Sequence, residues 1–110
     1  MLLTAVEQLR TYAAVGGQIL FGTDVGFMSD YSPAQEYKLL AQAGLSFAQI
    51  LAALTTNPAQ RFGLSQQTGT IAVGKRADLV LLTADPAVNI EHLTKVAYTI
   101  SKGRIIYQSK

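Results

Sequence analysis

Helical periodicity recurs between Thr4 and about Phe62, interrupted by one short apolar run, and then stops, which limits the chain to a mainly helical segment joined to a stranded one. Three starts punctuate the helical part. Thr4 followed by Glu7 fits a capping box, and Val6, Leu9 and Ala13 then recur at helical spacing until Gly16-Gly17, predicting a helix over about 4–15. Ser32-Pro33-Ala34-Gln35 gives an N-cap, a first-turn proline and a glutamine able to reach back, predicting a second helix over about 33–43, ended by Gly44. Ser46 and Gln49 repeat the capping logic for a third, with Ile50, Leu51 and Leu54 as its apolar stripe, and Asn57-Pro58 restarts a short helical turn to Phe62-Gly63.

Between the first two helices, the run Gln18-Ile19-Leu20-Phe21 is too short for a helix after two glycines. Its unalternating apolar character predicts a strand buried on both faces. Beyond Gly63 the pattern is that of strands and turns. Leu79-Val80-Leu81-Leu82 is one strand candidate; Val96–Ile100 and Arg104–Tyr107 are two more, joined by the hairpin connection Ser101-Lys102-Gly103. The expected fold class is therefore α/β up to about residue 64 and β after it, with the chain divided into 1–64 and 65–110.

With 110 residues, about half of them apolar, the chain has material for a modest core. It is far short of the roughly 250 residues of a complete (β/α) barrel, so a barrel reading treats it as a piece. The net charge of +2 is thinly spread, with only Lys75 and Arg76 adjacent, which argues against a nucleic-acid partner. Cysteine is absent, which excludes disulfides, thiolate metal sites and a cysteine nucleophile. No apolar run approaches the roughly 20 residues of a membrane span, so no membrane partner is expected. No basic n-region and apolar core follow Met1, and the expected location is the cytoplasm.

The candidate for chemistry is Asp24, at the end of the apolar run, where a strand would deliver a carboxylate to the mouth of a sheet or barrel. By itself, such an aspartate reads more readily as a cap for a loop or helix than as a catalytic group.

The order and wording of the segments resemble the C-terminal end of the amidohydrolase superfamily, especially its imidazolonepropionase-like and Xaa-Pro dipeptidase-like members. The residues that carry this likeness are Ile19–Asp24, Ala43-Gly44-Leu45-Ser46, Thr56-Asn57-Pro58-Ala59, Phe62-Gly63-Leu64, Gly69-Thr70-Ile71, Val73–Val80 and Ile100–Ile106. Each part is weak alone; the ordered series is specific.

The resemblance implies the last strand-helix units of a TIM-like (β/α) barrel, followed by the returning strands of a small β-sandwich domain. It also implies a metal-dependent hydrolase of C–N bonds acting on a small amide, peptide or cyclic amide. Asp24 would be the catalytic base and a ligand to a divalent metal, zinc by expectation. Phe27, Met28 and Tyr31, in the loop that follows, would line the substrate pocket, or serve only loop packing and helix entry. Asp30 reads as a polar loop residue. Asp78 resembles the family's buried strand aspartate that satisfies backbone donors, a structural role.

One departure is decisive. Complete members supply a His-x-His pair, a bridging lysine or glutamate and two further histidines from earlier strands, and none has a counterpart here. The lone His92 reads as a surface residue, and metal affinity normally needs three or more ligands. The chain by itself is thus expected to bind no metal tightly and to be inactive. The alternative is a non-catalytic α+β module that self-associates through strand edges left open, so that either a homo-oligomer or a missing N-terminal portion is expected.

Overall fold

The computed structural model describes residues 2–23 and 32–110, with side chains from Thr4 onward. Four helices precede a three-stranded sheet: α1 (Leu2–Ala14), α2 (Ala34–Gln42), α3 (Phe47–Leu54) and α4 (Thr56–Arg61), then β1 (Leu79–Leu82), β2 (Val96–Ser101) and β3 (Arg104–Gln108). A 3-10 turn, Ile90–Thr94, lies between β1 and β2. Among the described residues no helix is long and apolar enough to cross a membrane.

α1 begins at Leu2, so Thr4 lies inside the helix and cannot cap it as its pairing with Glu7 suggested. The good helix former Leu3 carries the helix past that signal. Glu7 instead pairs with Arg10, one turn on. Arg10 also reaches the C-terminal end of α2, donating from Nη2 to Gln42 O at 2.9 Å and from Nε to Ala43 O at 3.3 Å. A guanidinium there satisfies carbonyls that have no partner within the helix and suits the negative end of its dipole.

At α2 the cap differs in detail from the expectation. Pro33 occupies the cap position without a side-chain bond of its own. The Ser32 hydroxyl accepts from Ala34 N–H at 3.3 Å, anchoring the first turn one residue away from a standard cap. α3 starts as its sequence predicts: Ser46 Oγ accepts the Gln49 N–H at 3.2 Å, and Gln49 Oε1 accepts the Ser46 N–H at 2.8 Å.

Among the described residues the buried core lies within the helical part, and Ile90 and Leu93 of the 3-10 turn pack against it from outside. Val6 of α1, Tyr37 and Leu40 of α2, Ala43 and Leu45 of the α2–α3 connection, and Ile50 of α3 form one buried cluster. Leu9, Ala13, Ile19, Phe21 and Leu54 pack against it, half-buried. Val6, Leu9 and Ala13 thus use the inward stripe their spacing predicts. Leu51 lies at the edge of its predicted stripe and is exposed, whereas Ala53 is buried.

The strand expected at 18–21 is not formed among the described residues: the segment is extended but pairs with no strand, and Leu20 is 40% exposed rather than buried on both faces. The cause is one-sided packing. Ile19 and Phe21 turn toward the helices, and no neighbouring strand supplies a ladder or covers Leu20.

The sheet is antiparallel in the order β1-β2-β3. Leu79 faces Ile100 and Ser101 faces Arg104 in register. The hairpin turns through Lys102 and Gly103, both at positive φ (51° and 78°); the sequence signalled this for the glycine, and Lys102 adopts it as well. The sheet reaches the helices mainly through the 3-10 turn, whose Glu91 pairs with Lys38 of α2 at 2.8 Å. A second approach is at Gly69, where an added Cβ would lie 2.7 Å from Ala59 Cβ, so only glycine lets the 65–69 turn close on α4.

Candidate functional site

Asp24 lies outside the described residues, as do Phe27, Met28, Asp30 and Tyr31. What the structure gives is the approach to Asp24, the extended segment from Gln18 to Thr23, and the groups that fix it.

Three elements hold this segment. Asn57, the second residue of α4, donates from its side-chain amide to Ile19 O at 2.9 Å. The Phe21 N–H donates to Ala53 O of α3 at 3.1 Å. The Phe21 ring stacks on Tyr37 of α2, with centroids 4.9 Å apart and planes 26° from parallel. At the start of the segment Gln18 Nε2 donates to Gln60 Oε1 at 3.3 Å. Backbone groups that a sheet would pair are therefore satisfied partly by α3 and α4. Burial raises the Tyr37 phenol above its ordinary pKa.

Beside Tyr37 an apolar groove of about 890 Å³ runs between helices and sheet, lined by Leu54, Pro58 and Phe62 on one side and Leu79, Val80 and Val96 on the other. Asp78, Thr68 and several further hydroxyl side chains, among them Ser32, Thr55 and Thr99, are its polar members.

Asp78 is half-buried, its side chain 25% exposed, and sits just before β1 rather than inside a buried strand. Its reading as an acceptor for backbone donors holds in geometry: Oδ1 accepts the Lys102 N–H of the hairpin turn at 2.9 Å. Oδ2 accepts from Arg76 Nε at 2.6 Å and from Thr68 Oγ1 at 3.3 Å. The Lys102 N–H first, and then the Arg76 guanidinium, hold this carboxyl below its ordinary pKa. Asp78 thus ties three turns together and has little acceptor capacity left for chemistry.

His92 sits in the 3-10 turn with Nδ1 2.8 Å from Asp85 O, half-buried rather than free on the surface. Among the described residues, no three of His, Cys, Asp or Glu come together in a group that could hold a metal ion. The described donor set therefore does not fit a divalent cation.

Sequence reading passed over Asn57 and Tyr37. Asn57 belongs to Thr56-Asn57-Pro58-Ala59, which reads as a helix restart; an amide placed before a helix-starting proline was the available signal, but its acceptor is 38 residues away.

The model of the amidohydrolase family matches residues 4–106. The chain is 45% identical over 62 residues to imidazolonepropionase from Thermoplasma acidophilum, covering 54% of this chain and 15% of that protein. It is 31% identical over 107 residues to imidazolonepropionase from Symbiobacterium thermophilum, covering 86% of this chain and 25% of that one. The structure superposes on that of a Xaa-Pro dipeptidase with bound methionine in the active site, with a TM-score of 0.85 and 25% identity, covering 94% of this chain and 25% of that one. The chain thus spans a quarter or less of the length of these relatives.

Proposed function

Because the chain belongs to the amidohydrolase family, we propose that it is the C-terminal part of a metal-dependent hydrolase that cleaves C–N bonds in an amide, peptide or cyclic amide. Residues 1–64 would supply the last strand-helix units of a barrel, and residues 65–110 the returning strands of a small sandwich domain. The observation that carries the proposal is the family match, which runs through the extended segment leading into Asp24. The three-stranded antiparallel sheet supports the second assignment.

In the complete enzyme Asp24 would accept a proton from the attacking water and return it to the leaving nitrogen, the ordinary work of a carboxylate general base and acid. Phe27, Met28 and Tyr31 would face the substrate. A divalent metal is what the family generally uses to activate water. The described residues offer no group to bind one, so the remaining ligands would come from elsewhere in a longer protein, and this chain alone would be inactive.

Asp24→Asn in the complete enzyme, supplied with divalent metal and tested on proline dipeptides and a cyclic amide, is expected to cut kcat by about 10²–10⁴-fold. Full activity in that variant sinks the proposal. Metal-dependent turnover by residues 1–110 alone would refute the claim of inactivity.

A second reading, a self-associating module, is favoured by one observation: β3 is an edge strand and all five of its residues are exposed. Sedimentation across a range of concentrations separates the two, since a monomer at all of them removes the second.

A further inference from the structure

We infer that Asn57 is a positioning residue for the chain that enters Asp24, a role that rests on the proposed function of Asp24 but is read from different atoms. The extended segment from Gln18 to Thr23 has apolar side chains on one face and a helix pair behind it, yet no strand beside it among the described residues. Two backbone groups on the helix side are nonetheless satisfied. Ile19 O takes the Asn57 amide proton, and the Phe21 N–H goes to Ala53 O. Asn57 is half-buried, so the bond is partly shielded from water that would replace it.

The α3–α4 corner explains why an asparagine serves here. α3 ends at Leu54 and α4 starts at Thr56, so Ala53 and Asn57 stand on either side of Thr55, whose backbone is not helical (φ −130°, ψ −77°). An α-helical residue has its N–H and C=O committed to the helix; the break leaves Ala53 O open to Phe21, and the Asn57 side chain adds the donor a helix end cannot aim sideways. The two bonds reach alternate residues of the segment, Ile19 and Phe21, and so fix both its position along the helices and which side chains face inward. The Phe21–Tyr37 stack then locks that choice. Slippage by one residue would put Leu20 against the core in place of Ile19 and Phe21.

Asn57→Asp separates this role from a merely structural one. A carboxylate near the start of α4 suits the helix dipole, so a role confined to that helix predicts a neutral or slightly stabilising change. As a positioning residue Asn57 predicts the reverse for the segment, because a carboxylate cannot donate to Ile19 O and repels it. In the complete protein, hydrogen exchange of the Phe21 amide should then quicken by about tenfold, with the Phe62 amide, which donates to Pro58 O of α4, unchanged. Lowering the pH to protonate the introduced carboxyl restores a donor and should slow the exchange again, after correction for the intrinsic rate. Asn57→Ala should give the same acceleration without the pH rescue, and serves if Asn57→Asp does not fold.

Wild-type exchange at Phe21 in both variants overturns the inference. In an enzyme that Asp24→Asn inactivates, Asn57→Asp should lower kcat with KM held; an unchanged kcat overturns the positioning role. Should Asp24→Asn leave turnover intact, the reading of Asp24 fails by itself, and the Phe21 exchange rates alone decide the hold of Asn57 on the segment.

Discussion

The helical part and the sheet are built on opposite terms. Among the described residues, every buried apolar side chain, from Val6 to Ala59, belongs to the helices and their connections. The sheet has none: β2 is half-buried throughout, β3 is exposed throughout, and Ile105, Ile106 and Val80 are more than half exposed. The helices are held by removing apolar surface from water, whereas the sheet is held by its ladder, its turns and the Asp78 junction. A three-stranded sheet needs a covered hydrophobic face or a helix packed on it to be stable, so the sheet is the part whose stability depends most on what lies against it.

Truncating the centre of the helical core should have the largest effect. Ile50 is 1% exposed in a cluster drawn from three helices, and Ile50→Ala removes apolar contacts while leaving a cavity that helix backbones cannot readily collapse. A loss of about 2–5 kcal/mol is expected in denaturant melts. A loss below about 1 kcal/mol would mean that the helical core is not the stable unit and would break the comparison.

The same contrast governs what could be read from sequence. Interactions closed within a few residues were legible: the Ser46–Gln49 capping box, the hairpin turn at Lys102 and Gly103, and the inward stripe of α1 each depend on local geometry. Long-range closures were not. Tyr37 is buried because Phe21 comes to lie on it, and the Asn57 amide meets Ile19 only because the α3–α4 corner turns it there. Neither follows from periodicity. The failed Thr4–Glu7 capping box shows the limit of a local signal, since helix propensity upstream moved the helix start past it. The 3-10 turn at Ile90–Thr94 was missed although Asn89 carries its signal, accepting the Glu91 N–H at 3.0 Å. For the candidate site, sequence named Asp24 and its loop, while the structure describes the scaffold that leads to it.

The Asp78 junction gives the sheet a pH dependence of its own. Its carboxyl is held below the ordinary value, so the unfolded chain binds its proton at higher pH than the folded one does. The stabilisation is present above the unfolded value near 3.8 and is lost as pH falls through the lower folded value. Acid titration followed by hydrogen exchange should therefore loosen the Lys102 amide before the amides of α3, and Asp78→Asn should flatten that difference. Simultaneous loosening of both would show the two regions to be one cooperative unit.

The smallest effect is expected at Ile106, and it is the most informative about the sheet. Its side chain is 66% exposed on the edge strand, and it sits at the residue skipped by the register shift between Thr99 and Ile100. Little apolar area is at stake, so Ile106→Ala should change stability by no more than about 0.5 kcal/mol in residues 1–110. In a longer enzyme, where other strands would pack against this sheet, the same substitution should cost more, about 1 kcal/mol or above, because truncation of a covered side chain leaves a cavity. An equal and small effect in both would show β3 to be a true outer edge. A large effect in residues 1–110 that grows with protein concentration would show that a second copy covers the sheet, moving the boundary between the self-sufficient and the dependent region outside the single chain.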